Sequence, residues 1–593
     1  MVMTAQNVRY LNLQDLKSDS LVYQSVDTTL TDFYRFFPTN ERLIFYPDLG
    51  NFGSAGRPLF DLENPNPGFQ LGLNAFSRFI KSPDQIRFYN TGPRYTDLNY
   101  ISGIGKNQYF QAKHGQNITP LFSFGLDYNR ISSEGIYGFE SNDNTTIDLY
   151  LWYRSPKEKY QAAAGFIFNR IISQENGGIL NDSLFLKPQT IQREFETVRL
   201  GTAENNVIDK QLFLLHGFSF GTLDTLERKG EKLLKRTRTF SINHEARLSE
   251  TRNYYQDRSG TRYYPDNFYD STTTYNSVNE VGLRQKVFLS GYKPLAIPID
   301  FNVGIGRNDI NLQIMEVDTQ ISETMAFADG RLQLGPIGVF GSINRVLQGI
   351  QQGDQSMELG GVLNLKNLGK IGGSLSYTTA QPDFVLRYYK GNHYQWDNDF
   401  DRVQESDLNI NYRNDSIGFS VKFTAASITN WTYLSFDQRP VQETEAINYI
   451  SIDVEKNFTF GDFGLDNFYR GMLVNPEILG VPSHYLRHAF YFHKPLFKEA
   501  MLFQTGVDFT YYTKFNGWGY VPSNAMFYKA AGFETGGYPF LSFYVSAQVK
   551  RARFFARGTN LLQDFPLRGS FNYFQYPHQD RGIHLGLSWH FLD

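Results

Sequence analysis

From Ile583 to Phe591 the chain alternates without a break: Ile583, Leu585, Leu587, Trp589 and Phe591 fall on one side, His584, Gly586, Ser588 and His590 on the other. Side chains of a strand point to opposite faces in turn, so the spacing predicts one oily and one wet face. The segment also has about the 9–11 residues that a tilted strand needs to cross a bilayer. The same partition recurs upstream. Ile147, Leu149, Leu151 and Tyr153 oppose Asp148, Tyr150, Trp152 and Arg154. Phe301, Val303 and Ile305 oppose Asp300, Asn302 and Gly304, and Phe503, Val507 and Phe509 oppose Gln504, Gly506 and Asp508. A lysine or arginine facing lipid near the membrane midplane costs about 2–4 kcal/mol, so the charged rows must face water while the opposite rows do not.

These rows predict an all-β fold, a large antiparallel transmembrane β-barrel over residues 67–593. At about 22 residues per strand and connection the barrel holds about 24 strands, within a range of about 20–26. Residues 1–66 lack sustained alternation and carry many breakers, as in Leu49-Gly-Asn-Phe-Gly-Ser-Ala-Gly-Arg-Pro58. They predict an irregular N-terminal segment, either a periplasmic extension or a plug in the lumen. Short polar turns at 155–158, 367–369 and 414–416 contrast with long polar stretches near 136–145, 172–195, 252–274 and 391–406. Tight turns at one rim and long loops at the other are the asymmetry of outer-membrane barrels.

Composition fits a wall one residue thick. Apolar residues make up 41%, which is low for a solid core of this size, yet aromatics reach 16%, with 52 Phe and 38 Tyr. No apolar run is long enough for a transmembrane helix. Val2-Met-Thr-Ala5 is read as the tail of a removed signal segment. With 57 basic and 60 acidic residues the net charge is −3, which gives no field for nucleic acid. The absence of cysteine closes thiol catalysis, zinc–thiolate sites and disulfide scaffolds. A soluble propeller would repeat with a period of about 40–45 residues, and no such repeat occurs.

Several segments resemble the outer-membrane β-barrel porins of the Bacteroidetes. They are Leu49-Gly-Asn-Phe-Gly-Ser-Ala55, Tyr95-Thr-Asp-Leu-Asn-Tyr100, Gln108-Tyr-Phe with His114-Gly-Gln-Asn117, and Gly125-Leu-Asp-Tyr-Asn-Arg-Ile-Ser-Ser-Glu-Gly135. Gly586-Leu-Ser-Trp-His-Phe-Leu-Asp593 is similar to the C-terminal strand common in that phylum. The resemblance implies an outer-membrane location and a pore. It supplies no catalytic residues.

Motifs with catalytic or metal-binding associations are outweighed by their context. Gly217-Phe-Ser-Phe-Gly221 matches a nucleophile elbow, but it continues a strand and no helical stripe follows. Asp397-Asn-Asp-Phe-Asp401 lacks the glycine and glutamate of a calcium loop, and Asn142-Asp-Asn144 offers less. His484 and His488 share a strand face while His493 falls on the other, which does not converge ligands for zinc. No metal, cofactor or enzymatic activity is expected. The functional signal is the polar row. Arg154, Arg247, Arg284, Lys286, Arg413, Lys422 and Lys550, with Asp127, Asp148, Glu245, Asp300 and Asp508, are the candidate pore-lining residues. Mixed signs favour a hydrated, weakly selective passage over a charge filter. Trp589 and Phe591 are the candidate assembly signal of the closing strand.

The function expected is a porin-like channel in the outer membrane of a Gram-negative bacterium, passing small hydrophilic solutes by diffusion. The alternative is a non-conducting barrel that serves as scaffold for a surface lipoprotein, secretion or uptake complex. Expected partners are outer-membrane lipid and lipopolysaccharide, the barrel-assembly machinery during insertion, and a lipoprotein or complex partner in the alternative, with no nucleic acid.

Overall fold

The computed structural model describes residues 8–17, 23–35, 43–60, 65–92, 94–156, 159–186, 193–228, 231–258, 263–292, 299–565 and 569–592. Among them, 22 antiparallel strands close into one barrel, inside the expected range and two fewer than the central figure. The ring runs from Tyr95–Ser102 to Gly582–Leu592, and these two strands pair with each other, for example Trp589 with Leu98. The ring itself has no open edge, so each wall strand is paired on both sides where it lies among its neighbours, as a strand in lipid must be. Part of the shortfall in strand number lies in one hairpin. Ala203–Arg228 and Glu231–Asp257 take 26 and 27 residues and run past their neighbours, whose pairing with them stops at Phe218 and Phe240.

The two faces separate as the alternation requires. Leu149, Leu151, Leu212, Leu359 and Leu375 are exposed on the outer side, and Asp148, Tyr150 and Trp152 are buried on the inner side. Many inward aromatics lie over a glycine directly across the strand pair. Gly125 is in register with Tyr150, Gly165 with Phe213 and Gly586 with Phe555. The missing side chain leaves room for the ring, which explains why a chain rich in Phe and Tyr is also rich in glycine.

Most connections alternate in length around the ring, the two-residue turn 315–316 at the long-loop rim being an exception. Residues 120–121, 335–336, 415–418, 461–462 and 550–551 make tight turns at one rim, whereas 176–202, 381–402, 430–446, 513–539 and 560–581 make long loops at the other. The loop 513–539 crosses the mouth: it starts from Met501–Tyr512, yet Asn205 and Asn276 on the far wall donate to Pro522 O and Ser523 O at 2.9 Å each. Its strands Phe515–Val521 and Met526–Thr535 form a four-stranded sheet with Thr432–Leu434 and Pro440–Gln442.

The barrel begins at Tyr95, not near residue 67. Residues 67–92 belong with the preceding segment. Phe69 and Ala75 are buried while Gln70 and Asn74 are exposed, so this stretch alternates without belonging to the wall. An extended chain with two different environments gives the same pattern whether its apolar side meets lipid or protein.

Candidate functional site: the lumen and the segment that fills it

The described residues between 8 and 92 contact inward side chains around the circumference, and a segment that reaches all of these must occupy the lumen. Three charged anchors hold it. Lys81 places Nζ 2.8 Å from Asp127 Oδ2 and 2.5 Å from Asp148 Oδ2. Its backbone is fixed as well: Lys81 N donates to Asn169 Oδ1 at 3.0 Å, and Lys81 O accepts from Asn169 and Gln211. Burial pulls the Lys81 ammonium down, but the two carboxylates outweigh it and hold its pKa above the ordinary lysine value.

The second anchor is Arg247, which donates to both Asp84 oxygens at 2.8 and 3.0 Å and to Glu245 at 2.6 Å. Lys17 Nζ lies 2.7 Å from the other Glu245 oxygen. Burial raises Asp84, but the paired hydrogen bonds and charge of Arg247 prevail and hold it below the usual carboxylate range.

The third anchor is Asp508, which accepts from Tyr34 Oη at 2.8 Å and from Arg487 at 3.0 Å, with Arg35 Nε at 3.3 Å. Arg487 also reaches Asp32 at 3.0 Å, and the Tyr34 ring stacks on Tyr544 with centroids 3.4 Å apart.

Hydrogen bonds to and from the segment's backbone complete the ring. Glu323 accepts from Phe69 N at 3.1 Å and Asp354 from Gly68 N at 3.3 Å. The Leu49–Ala55 motif docks on the wall through its backbone: Ser133 and Asn144 donate to Phe52 O and Gly53 O at 2.6 and 2.8 Å. Gly53 has φ +94°, and a Cβ there would sit 3.1 Å from Asn142, Asn144 and Ile131, so the motif needs a residue without a side chain. Asn51 donates to Glu140 O at 2.6 Å. The Glu140 carboxyl, in the connection 134–141, accepts from Ile136 N and Tyr137 N, and burial pushes it up to about 8.

The candidate pore-lining residues therefore divide. Asp127, Asp148, Glu245, Arg247 and Asp508 face inward but grip the inner segment rather than open water. Arg284 faces inward and reaches Glu280 at 2.6 Å; Lys286 lies 5.5 Å over the Phe327 ring. Asp300 is on the inward row in register with Arg331, and Lys422 is on the inward row in register with Asp453. Three positions belong to the tight-turn rim. Arg154 donates to Pro120 O, and Arg413 pairs with Asp415 at 2.6 Å with both side chains largely exposed. Lys550 is not on a wall row at all: it sits exposed in the turn after Phe540–Val549 with φ 54°, where the alternation ends. Trp589 faces outward, 47% exposed, with its ring stacked on Phe591 at 4.7 Å.

Ser219 lies mid-strand, buried, with no bend for an elbow. His484 and His488 bond Tyr469 and Asn467 from the outward row, and His493 faces the other way. Lys17, Arg35, Lys81 and Asp84 escaped sequence reading because they lie where no period marks a face. The inward parity of Glu323 and Arg487 was a usable signal.

The fold and its filled lumen define an outer-membrane-type β-barrel with an internal plug. The chain belongs to the family described as "Putative porin", which it matches over residues 9–593. No curated protein matches it by sequence. Among solved structures it is similar to a variant of the ferric enterobactin receptor PfeA from Pseudomonas aeruginosa, with 11% identity, TM-score 0.63 and all of both chains covered. It is also similar to the apoprotein form of the FrpB iron transporter from Neisseria meningitidis, with 9% identity, TM-score 0.62, and 99% of this chain and 100% of that one covered. BauA, the ferric preacinetobactin receptor from Acinetobacter baumannii, aligns with 9% identity and TM-score 0.56 over 84% of this chain and 80% of its own.

Proposed function

We propose that this chain carries small hydrophilic solutes across the outer membrane of a Gram-negative bacterium, of the Bacteroidetes lineage its motifs resemble, through a lumen that residues 8–92 close at rest. The observation that supports this most is the distribution of the anchors. Contacts at Asp148, Arg247, Glu323 and Asp508 spread around the ring, so the segment blocks the bore rather than lining one side. A barrel of 22 strands is wide enough for an aqueous channel, and a filled one passes solutes only when its filling moves. Once it has moved, the mixed charges of the wall allow diffusion without strong ion preference. By the usual asymmetry the tight-turn rim faces the periplasm and the long-loop rim faces outside.

Planar-bilayer conductance tests this. Intact protein is expected to be nearly silent, and protein lacking residues 1–92 to show large, weakly selective steps. Silence in a folded deletion variant would favour the second reading, a non-conducting scaffold. That reading draws on the strand ends 219–228 and 231–239, which run past their neighbours at the tight-turn rim. It requires a stoichiometric partner on purification. The iron and siderophore ligands named for the fold neighbours are not carried over at 9–11% identity.

A further inference from the structure

Two adjoining cavities of about 330 and 520 Å³ lie at the long-loop rim, between the inner segment and the crossing loops. They share Asn74, Ser77, Asp383 and Trp431 and so form one cleft. One wall is the inner segment, where Asn66, Gln70, Asn74 and Ser77 are exposed and, among the described residues, their side chains have no hydrogen-bond partner. The opposite wall is aromatic. Trp431 and Tyr433 are partly buried and stacked with centroids 4.5 Å apart. Trp518 meets Trp431 edge-on at 6.2 Å and is fixed by donating Nε1–H to Gly480 O at 3.2 Å. The Arg57 guanidinium covers the Trp518 ring at 3.5 Å.

We infer that this cleft binds a neutral oligosaccharide of a few sugar units, on the outer side of the plug. The inference rests on the transport reading above. A sugar ring has an apolar C–H face and a rim of hydroxyls that both donate and accept. Aromatic faces suit the first, and side-chain amides, which also donate and accept, suit the second. Arg57 and Arg78 share the lining with Asp383, and Lys529 Nζ lies 4.6 Å from the Trp518 ring, but these cations are engaged by ring faces, Arg57 by Trp518 and Arg78 by Tyr46 at 3.7 Å. An anionic solute would call for a concentration of unopposed cations. The volume lies in the range of about 300–1,000 Å³ that encloses ligands of this size.

The test uses intact protein in detergent. Maltohexaose, xylohexaose, mannohexaose, cellohexaose, chitohexaose and a fructo-oligosaccharide are titrated while tryptophan fluorescence and binding heat are followed. At least one is expected to bind saturably, with affinity reduced about tenfold or more by Trp431→Ala and several-fold by Gln70→Ala or Asn74→Ala. Trp589→Ala, on the outer face, should leave binding unchanged. Heat-modifiable gel mobility confirms that each variant is folded. Failure of all six sugars to bind overturns the inference, as does binding that is indifferent to Trp431→Ala. If none binds while the plug-deleted barrel conducts, transport stands and the ligand class falls. If a sugar binds at this cleft and the deleted barrel is silent, the ligand class stands and transport falls.

Discussion

At the scale of single residues, the docking of the inner segment depends on a few desolvated charges. Lys81 sits between Asp127 and Asp148, and its side chain is 19% exposed. Lys81→Met would leave two inward carboxylates without the cation that bonds them, and loss of one partner of a buried pair costs about 3–5 kcal/mol. Hydrogen exchange across residues 76–90 should therefore accelerate sharply. Adding Asp127→Asn and Asp148→Asn should restore much of the protection, because the charge left behind is the main penalty. The pH dependence has two signs. Asp84 has its carboxyl held below its ordinary 3.8, so its stabilisation is present above that value and is lost as pH falls through the depressed one. Protease access to the inner segment should rise steeply below pH 3.8, and less steeply in Asp84→Asn, which lacks the contribution at every pH. Glu140 is the opposite case. Raised from 4.5 to about 8, it favours the docked state below 4.5 and loses that effect as pH rises through 8. Protection at the Asn51 contact, corrected for the intrinsic rise of exchange with pH, should fall between pH 4.5 and 8 and level off above that, and Glu140→Gln should flatten that response. Lys81, raised above 10.5, contributes fully throughout this window, so the change reports on Glu140.

At the scale of elements, the strand is the unit that could be read from sequence, and the reason is geometric. A wall strand has two environments, so parity alone assigns a residue such as Asp148 or Leu149 to the inside or outside, and the structure places both accordingly. Rim assignment was legible for the same reason: the turn at 414–416 and the stretch at 391–406 lie at opposite ends of Val403–Asn414. The irregular character of the inner segment was legible but its extent was not, because Phe69–Ala75 alternates between protein and cleft and is indistinguishable from a strand between lipid and water. The partners that Asp127 and Asp508 find in the inner segment were equally hidden, since Lys81 and Arg35 lie in irregular chain. Pairing across strands adds a constraint that parity does not contain. At Gly125 an added Cβ would lie 2.4 Å from the Tyr150 ring, and that ring cannot swing away. Its hydroxyl accepts from Tyr89 N at 2.8 Å, and Phe88 packs on it at 4.8 Å. Gly125→Val is expected to destabilise the folded protein by about 1–3 kcal/mol through overpacking. Urea unfolding in lipid vesicles would measure it, and Tyr150→Ala in the same chain should relieve part of it.

At the scale of the whole molecule, two cohesive systems of different kind share one chain. The wall is a closed ladder in which each strand is paired on both sides, and opening it within lipid would leave rows of backbone groups with no partner. The inner segment has almost no ladder of its own: its described strands are Arg9–Leu11, Gln24–Ser25 and Phe88–Asn90. It is held by side-chain anchors and by aromatic packing such as Phe88 against Trp152 and Phe213. Denaturant acts on exposed peptide and apolar surface, so the two systems should release at different concentrations. Urea is expected to open large, reversible conductance steps in intact protein while the tryptophan signal of the lipid-facing Trp589 is unchanged. Lys81→Met should shift that opening to lower urea and leave the wall's own transition where it was. Intact protein that loses plug and barrel in one step, with no conducting state between, would show instead that the anchors hold the wall as firmly as the wall holds them. The lumen would then be part of the fold's core and not a gate.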